Sequence, residues 1–144
     1  MENQEKIIYG FDDVESVAQK VLPYLKKYAI VTLSGPLGAG KTTLVQAILR
    51  ACGVDEDITS PTFTYMNIYT GADNIEYYHF DLYRLSTEDE FLAAGFDEYL
   101  YAPNSRALIE WPAIIKDLLD HSVCNIVLEY QDDNTRALSI KCIE

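Results

Sequence analysis

The chain has 144 residues, 49% of them hydrophobic, which is enough for one buried core and a single domain over 1–144. Twenty-three acidic against eleven basic side chains give a formal charge of −12. A direct nucleic-acid binder normally clusters Lys and Arg over several phosphates, and that footprint is missing.

No run approaches the roughly 20 apolar residues that cross a bilayer, so no membrane partner is expected. MENQEKII opens the chain without an export-signal pattern. Cys52, Cys124 and Cys142 are odd in number, widely spaced and without a CxxC pair. That argues against a disulfide framework or zinc site, and for buried or idle thiols in a reducing, cytoplasmic compartment.

In chain order, KIIYG predicts a short strand. Asp12 with Glu15 has the spacing of a capping box. Val14, Val17, Ala18, Val21 and Leu25 then mark the apolar face of a helix, which Pro23 is expected to kink or interrupt. AIVTLS (29–34) reads as a buried strand feeding a glycine-rich loop, and TTLVQAILRACG (42–53) as the helix after it, with Gly53 as terminator. SPTFTYMNIY and IEYYHFDLYRL flank TGADN and predict a hairpin. Thr87 with Glu90 opens a short helix that Gly95 ends. RALIEWP (106–112) reads as a strand ending at an acid, Pro112 opens a helix over AIIKDLLDH, and SVCNIVLEY and TRALSIKCI form a second hairpin. Strands alternating with helices around such a loop predict an α/β fold, a three-layer P-loop NTPase-like domain with a mixed β-sheet.

Gly35-Pro36-Leu37-Gly38-Ala39-Gly40-Lys41-Thr42 satisfies GxxxxGK[ST]. The glycines let successive backbone N–H groups face a polyphosphate, and the following helix presents its positive end to it. Lys41 adds a cation near the terminal phosphates, and the Thr42 hydroxyl is suited to Mg²⁺. With Thr43, which opens the helix beside them, these residues form the candidate ATP site.

Hydrolysis also needs acids. Asp81 in YYHFDLYRL and Glu110 in ALIEWP each end an apolar strand, and either suits the role of the metal-holding carboxylate. Together with Lys41 they are the catalytic candidates; with Thr42 they are the metal candidates. Thr62, in the hydroxyl-rich SPTFT loop, is a candidate γ-phosphate sensor. His79 lacks a second ligand at metal spacing and reads as hydrogen-bonded or packed. Trp111 reads as core or as a neighbour of the nucleotide, and Arg84 as a salt-bridge residue.

No NKxD or DxxG is present, which disfavours GTP. A small P-loop kinase acting on a nucleotide or other small molecule is the alternative. Such enzymes usually bring a lid and several arginines, whereas this chain has four, scattered at 50, 84, 106 and 136.

LGAGKTTL, SPTFTYMNIY, HFDLYRL and LIEWP, in this order and at these distances, resemble the TsaE (formerly YjeE) family, the ATPase component of bacterial tRNA threonylcarbamoyladenosine (t6A) biosynthesis. The resemblance covers nearly the whole chain. It implies ATP and Mg²⁺ as cofactors, with Lys41, Thr42, Thr62, Asp81 and Glu110 at the family's functional positions. It implies docking on TsaD and TsaB, with hydrolysis that is weak alone and resets that complex between rounds of modifying adenosine 37 in ANN-decoding tRNAs. tRNA is then met only through the complex. Three departures stand out. Pro36 follows the first glycine, where an acid or other polar residue is usual, and Leu100 replaces an aromatic after Glu98-Tyr99. Ile68 replaces an acid.

Overall fold

The computed structural model describes residues 2–144. Seven strands form one mixed sheet in the order β1-β7-β6-β2-β5-β4-β3: β1 (Glu2–Gly10), β2 (Ile30–Ser34), β3 (Met66–Thr70), β4 (Glu76–Asp81), β5 (Ser105–Glu110), β6 (Val123–Tyr130) and β7 (Thr135–Ile143). The centre is parallel, with β2 between β6 and β5, and β4 beyond β5. The edges are antiparallel, made by the expected β3–β4 and β6–β7 hairpins and by β1 against β7.

The period-two alternation of strand side chains sorts the residues between two cores. Val31, Leu33, Leu108, Cys124, Ile126, Leu128, Leu138 and Ile140 pack with helices α1 (Val14–Lys27) and α2 (Lys41–Ala51). On the opposite face Ile30, Tyr78, Phe80, Ala107, Ile109 and Val123 pack with α3 (Glu88–Ala93) and the short helical turns around it. Helices on both faces of a sheet make the predicted three layers. Leu44, Val45, Ile48 and Leu49 of α2 are fully buried; truncating one such leucine to Ala costs about 2–5 kcal/mol.

Several local expectations are corrected. Of the two outcomes expected at Pro23, interruption does not occur: helix α1 is continuous from Val14 to Lys27. The carbonyl deprived of a helical partner is that of Gln19, a residue on the exposed face of the helix, where solvent can reach it. The Asp12–Glu15 box does not form. Asp13 instead accepts the Gly10 N–H at 3.3 Å, and Glu15 reaches Arg50 at 3.3 Å. Thr87 does cap α3, accepting the Glu90 N–H at 3.2 Å, and Gly95 and Gly53 end their helices at φ 78 and 85. The segment after Pro112 is an irregular 3-10 stretch, Pro112–Leu118, broken at Ile115, and not the α-helix expected.

The cysteine reading is also overturned. Cys124 and Cys142, buried and directly opposed on β6 and β7, form a disulfide with Cα atoms 4.0 Å apart; Cys52 is the free thiol. Among the described residues no helix is long and apolar enough to cross a membrane.

Candidate functional site

The loop between β2 and α2 lies at the C-terminal end of the parallel strands, where ligands bind in open α/β sheets. Gly35 has φ +143, and a Cβ there would collide with the Leu128 carbonyl, so no larger residue fits against β6. Gly40 takes φ +99 immediately before α2 and turns the chain into the helix. Tyr130, at the end of β6, donates its hydroxyl to the Leu37 carbonyl at 3.0 Å and ties the loop to the sheet.

A cleft of about 450 Å³ opens over this loop, lined by Leu37, Gly38, Gly40, Lys41, Thr42, Thr43, Thr62, Asp81, Tyr83, Arg84, Glu110 and Trp111. All the catalytic and metal candidates therefore meet in one place. The remaining loop candidates stand behind it. Gly35 and Pro36 present their carbonyls to Lys41, and the Ala39 side chain is buried in the core.

Lys41 is buried, with Nζ donating to the carbonyls of Gly35 (2.6 Å) and Pro36 (2.9 Å). The same Nζ lies 4.1 Å from the centre of the Trp111 ring, close enough for a cation–π interaction. Burial pushes the Lys41 ammonium below its ordinary pKa, against the opposing pull of the Glu110 and Asp81 charges.

Trp111 has φ 58, a left-handed conformation that a bulky residue rarely adopts. Its N–H bonds the Leu33 carbonyl at 3.2 Å, and its ring packs against Tyr83 at 4.8 Å. In this conformation the indole lies over the lysine while it still packs at the edge of the core on the α3 face.

Asp81 and Glu110 are register partners at the ends of the parallel strands β4 and β5. Glu110 is almost fully buried; its Oε1 and Oε2 accept the Thr42 hydroxyl at 2.8 and 3.0 Å. Its Oε2 lies 2.6 Å from Nε2 of the buried His79. Asp81 is partly exposed, and its Oδ1 accepts the Tyr83 N–H at 3.1 Å. Burial raises the Asp81 pKa and the Glu110 charge adds to the rise, while the Tyr83 N–H counteracts it.

The donor set fits Mg²⁺. It consists of oxygens only, a hydroxyl and two carboxylates, the hard ligands that ion prefers. Thr42 gives its proton to Glu110 and so keeps lone pairs for a cation. Among the described residues no three His, Cys, Asp or Glu side chains form a metal cage of their own.

On the SPTFT loop, Thr62 lines the cleft and shares a 3.0 Å hydrogen bond with Ser60. Arg84, expected in a salt bridge, lies across the Phe63 ring at 5.1 Å.

Sequence reasoning missed a second recess, about 110 Å³, that shares Gly40 and Thr43 with the cleft. Its other walls are Tyr9, Phe11, Val14, Ala39 and Arg136. The Arg136 guanidinium is 4.6 Å from the centre of the Phe11 ring and 4.3 Å from that of Tyr130. Tyr9 lies at the end of β1, Phe11 follows that strand and Arg136 lies on β7, and none of the three belongs to a motif.

The chain was compared with known proteins. The sequence profile of the family described as "Threonylcarbamoyl adenosine biosynthesis protein TsaE" matches residues 10–138. The tRNA threonylcarbamoyladenosine biosynthesis protein TsaE of Rickettsia conorii is 40% identical over 130 residues, 90% of this chain and 73% of its own. The protein of the same name from Bacillus subtilis is 30% identical over 132 residues, 92% of this chain and 81% of its own. The crystal structure of Bacillus subtilis YdiB superposes with a TM-score of 0.78 at 26% identity, covering 100% of this chain and 88% of that one.

Proposed function

The chain belongs to the TsaE family of tRNA threonylcarbamoyladenosine biosynthesis, and on that premise we propose that it is a Mg²⁺-dependent ATPase acting on a TsaD–TsaB pair. Hydrolysis is slow in the isolated chain, is accelerated by the pair, and resets the pair between rounds of tRNA modification. The observation that carries this reading is the convergence of Lys41, Thr42, Asp81 and Glu110 on the cleft over the phosphate loop.

The residues divide the work as follows. Backbone N–H groups of 37–42 and the start of α2 receive the phosphates; Pro36 contributes none. Lys41 exchanges its two carbonyl partners for phosphate oxygens. Thr42 and one of the two carboxylates would hold Mg²⁺, which when bound would neutralise charge developing on the phosphates. The carboxylate not engaged with the ion orients the attacking water. The recess beside Thr43 receives the base against Phe11 and Arg136, since it adjoins the loop on the helix side.

The mouth of the cleft is apolar and open: Leu37, Phe63 and Tyr83 are 62%, 80% and 56% exposed. Exposed apolar side chains around a nucleotide site support a partner that closes over it. The net charge of −12 fits a protein that leaves tRNA to that partner.

The test is ATP hydrolysis by the purified chain with and without a purified TsaD–TsaB pair, with Lys41→Ala as the blank. A weak basal rate that rises with the pair supports the reading. A rate indifferent to the pair overturns it, and transfer to small phosphate acceptors becomes the next assay.

A further inference from the structure

Besides Thr42, the Glu110 carboxylate has one other hydrogen-bonding neighbour among the described residues, and it is a residue the proposed chemistry has not used. His79 lies on β4 two residues before Asp81, so the two side chains leave the same face of the strand. The strand thereby delivers Asp81 to the cleft and the His79 imidazole to the flank of Glu110, on the neighbouring strand β5. His79 has no exposed surface, and its Nε2 stands 2.6 Å from Glu110 Oε2. Its Nδ1 has no hydrogen-bond partner. A bare lone pair at Nδ1 costs less than a bare buried N–H, so the proton belongs on Nε2, donated to the carboxylate.

We propose that His79 is the positioning residue for Glu110: its Nε2–H fixes the carboxylate so that Glu110 faces Thr42 and the cleft. The inference rests on the ATPase reading, because it gives His79 a role in Mg²⁺ capture through Glu110. A glutamate has three side-chain torsions, and the Thr42 hydroxyl alone leaves it free to pivot. His79 is the stiffer support, since it comes from within the sheet and Thr42 from a half-buried turn at the start of α2. Removing a partner that orients a metal-holding side chain typically costs about 10–100-fold in metal affinity or activity.

One readout needs no nucleotide. The chain has two histidines, and His121 is exposed. Proton NMR of the free protein should show one downfield, solvent-protected imidazole N–H, which moves or vanishes in Glu110→Gln. Its absence in the wild type overturns the pairing.

The second readout is the Mg²⁺ concentration that half-saturates ATP binding, followed by Trp111 fluorescence. His79→Leu should raise it about 10–100-fold. His79→Gln, whose side-chain amide nitrogen falls near Nε2, should recover most of the loss. In a Glu110→Gln background His79→Leu should have little further effect, because the partner it acts through is already changed. Thermal unfolding of each variant identifies any that fail to fold. If wild type depends on Mg²⁺ and a folded His79→Leu matches it, the positioning role is overturned while the ATPase reading stands. If wild type itself gains nothing from Mg²⁺, the ATPase reading is overturned and this inference with it.

Discussion

The Thr42 hydroxyl donates to the Glu110 carboxylate at 2.8 Å across 68 residues of sequence. That bond ties the start of α2 to the end of β5, and it sets the order in which changes here should act. Glu110→Gln keeps the volume and an acceptor but removes the charge. Turnover should fall at least about 100-fold, in the range of losing one preorganised electrostatic group, while ATP affinity changes by less than about tenfold. Single-turnover hydrolysis beside equilibrium ATP binding checks this; equal losses in both would make Glu110 a binding group only.

Lys41 has two carbonyl partners and an aromatic face, and in the proposed function phosphate oxygens take the place of the carbonyls. Lys41→Ala should weaken ATP binding by at least about 100-fold, since a desolvated charge-assisted contact is lost at the phosphates. Trp111 is the only tryptophan and lies against the lysine. Its fluorescence should shift on ATP addition in the wild type and stay flat in Lys41→Ala. Retained affinity would remove the phosphate-loop assignment.

Asp81 should have opposite effects on stability and on activity. Its folded-state pKa lies above the ordinary value because burial disfavours its charge. The ionised form therefore costs stability at neutral pH, and that cost is relieved as pH falls through the raised pKa. Activity needs the carboxylate, so it should fall on the acid side at a pH above the ordinary Asp range. Asp81→Asn keeps an acceptor for the Tyr83 N–H and removes the charge. Its Tm at pH 7 should equal or exceed that of wild type by about 1–3 °C, with turnover lost. A lower Tm would show that the charge stabilises the fold.

That Asp81, Glu110 and the glycine-rich loop would meet in one cleft was legible in the sequence for physical reasons. Glycine spacing and a strand-ending acid are local patterns, written within a dozen residues. The His79–Glu110 contact spans 31 residues and exists only because β4 and β5 pair in parallel, so nothing local marks it. Phe11 and Arg136 reach the loop from opposite ends of the chain. The apolar spacing after Pro112 reads as a helix, but Ile115 leaves helical backbone angles and is buried in the core on the α3 face, a constraint that nothing local records. Cys124 and Cys142 escaped because an 18-residue spacing means nothing until the β6–β7 register sets them opposite one another.

The recess beside Thr43 makes its own prediction. Phe11 is 57% exposed and lies on the Arg136 guanidinium, an arrangement with a flat apolar face for a purine. Phe11→Ala should weaken ATP binding about 5–30-fold, the worth of one base–aromatic stack of about 1–2 kcal/mol. Binding of inorganic tripolyphosphate, which has no base, should be unchanged. Equal weakening of both ligands would mean that Phe11 shapes the loop and does not touch the base.

The disulfide predicts a thiol count. Denatured without reductant, the chain should expose the single thiol of Cys52; after reduction it should expose all three. Closing an 18-residue loop is worth about 3 kcal/mol from chain entropy alone. Reduction should therefore lower the Tm by roughly 5–12 °C. Both sulfurs lie in the core that carries α1, on the β6–β7 hairpin at the side of the sheet away from Asp81 and His79. Reduction should accordingly leave ATP binding below the new Tm within about twofold, as expected for separated sites. Three reactive thiols in the unreduced, denatured chain would show that the bond does not form. A large loss of nucleotide affinity on reduction would instead tie the hairpin to the loop through Leu128 and Tyr130.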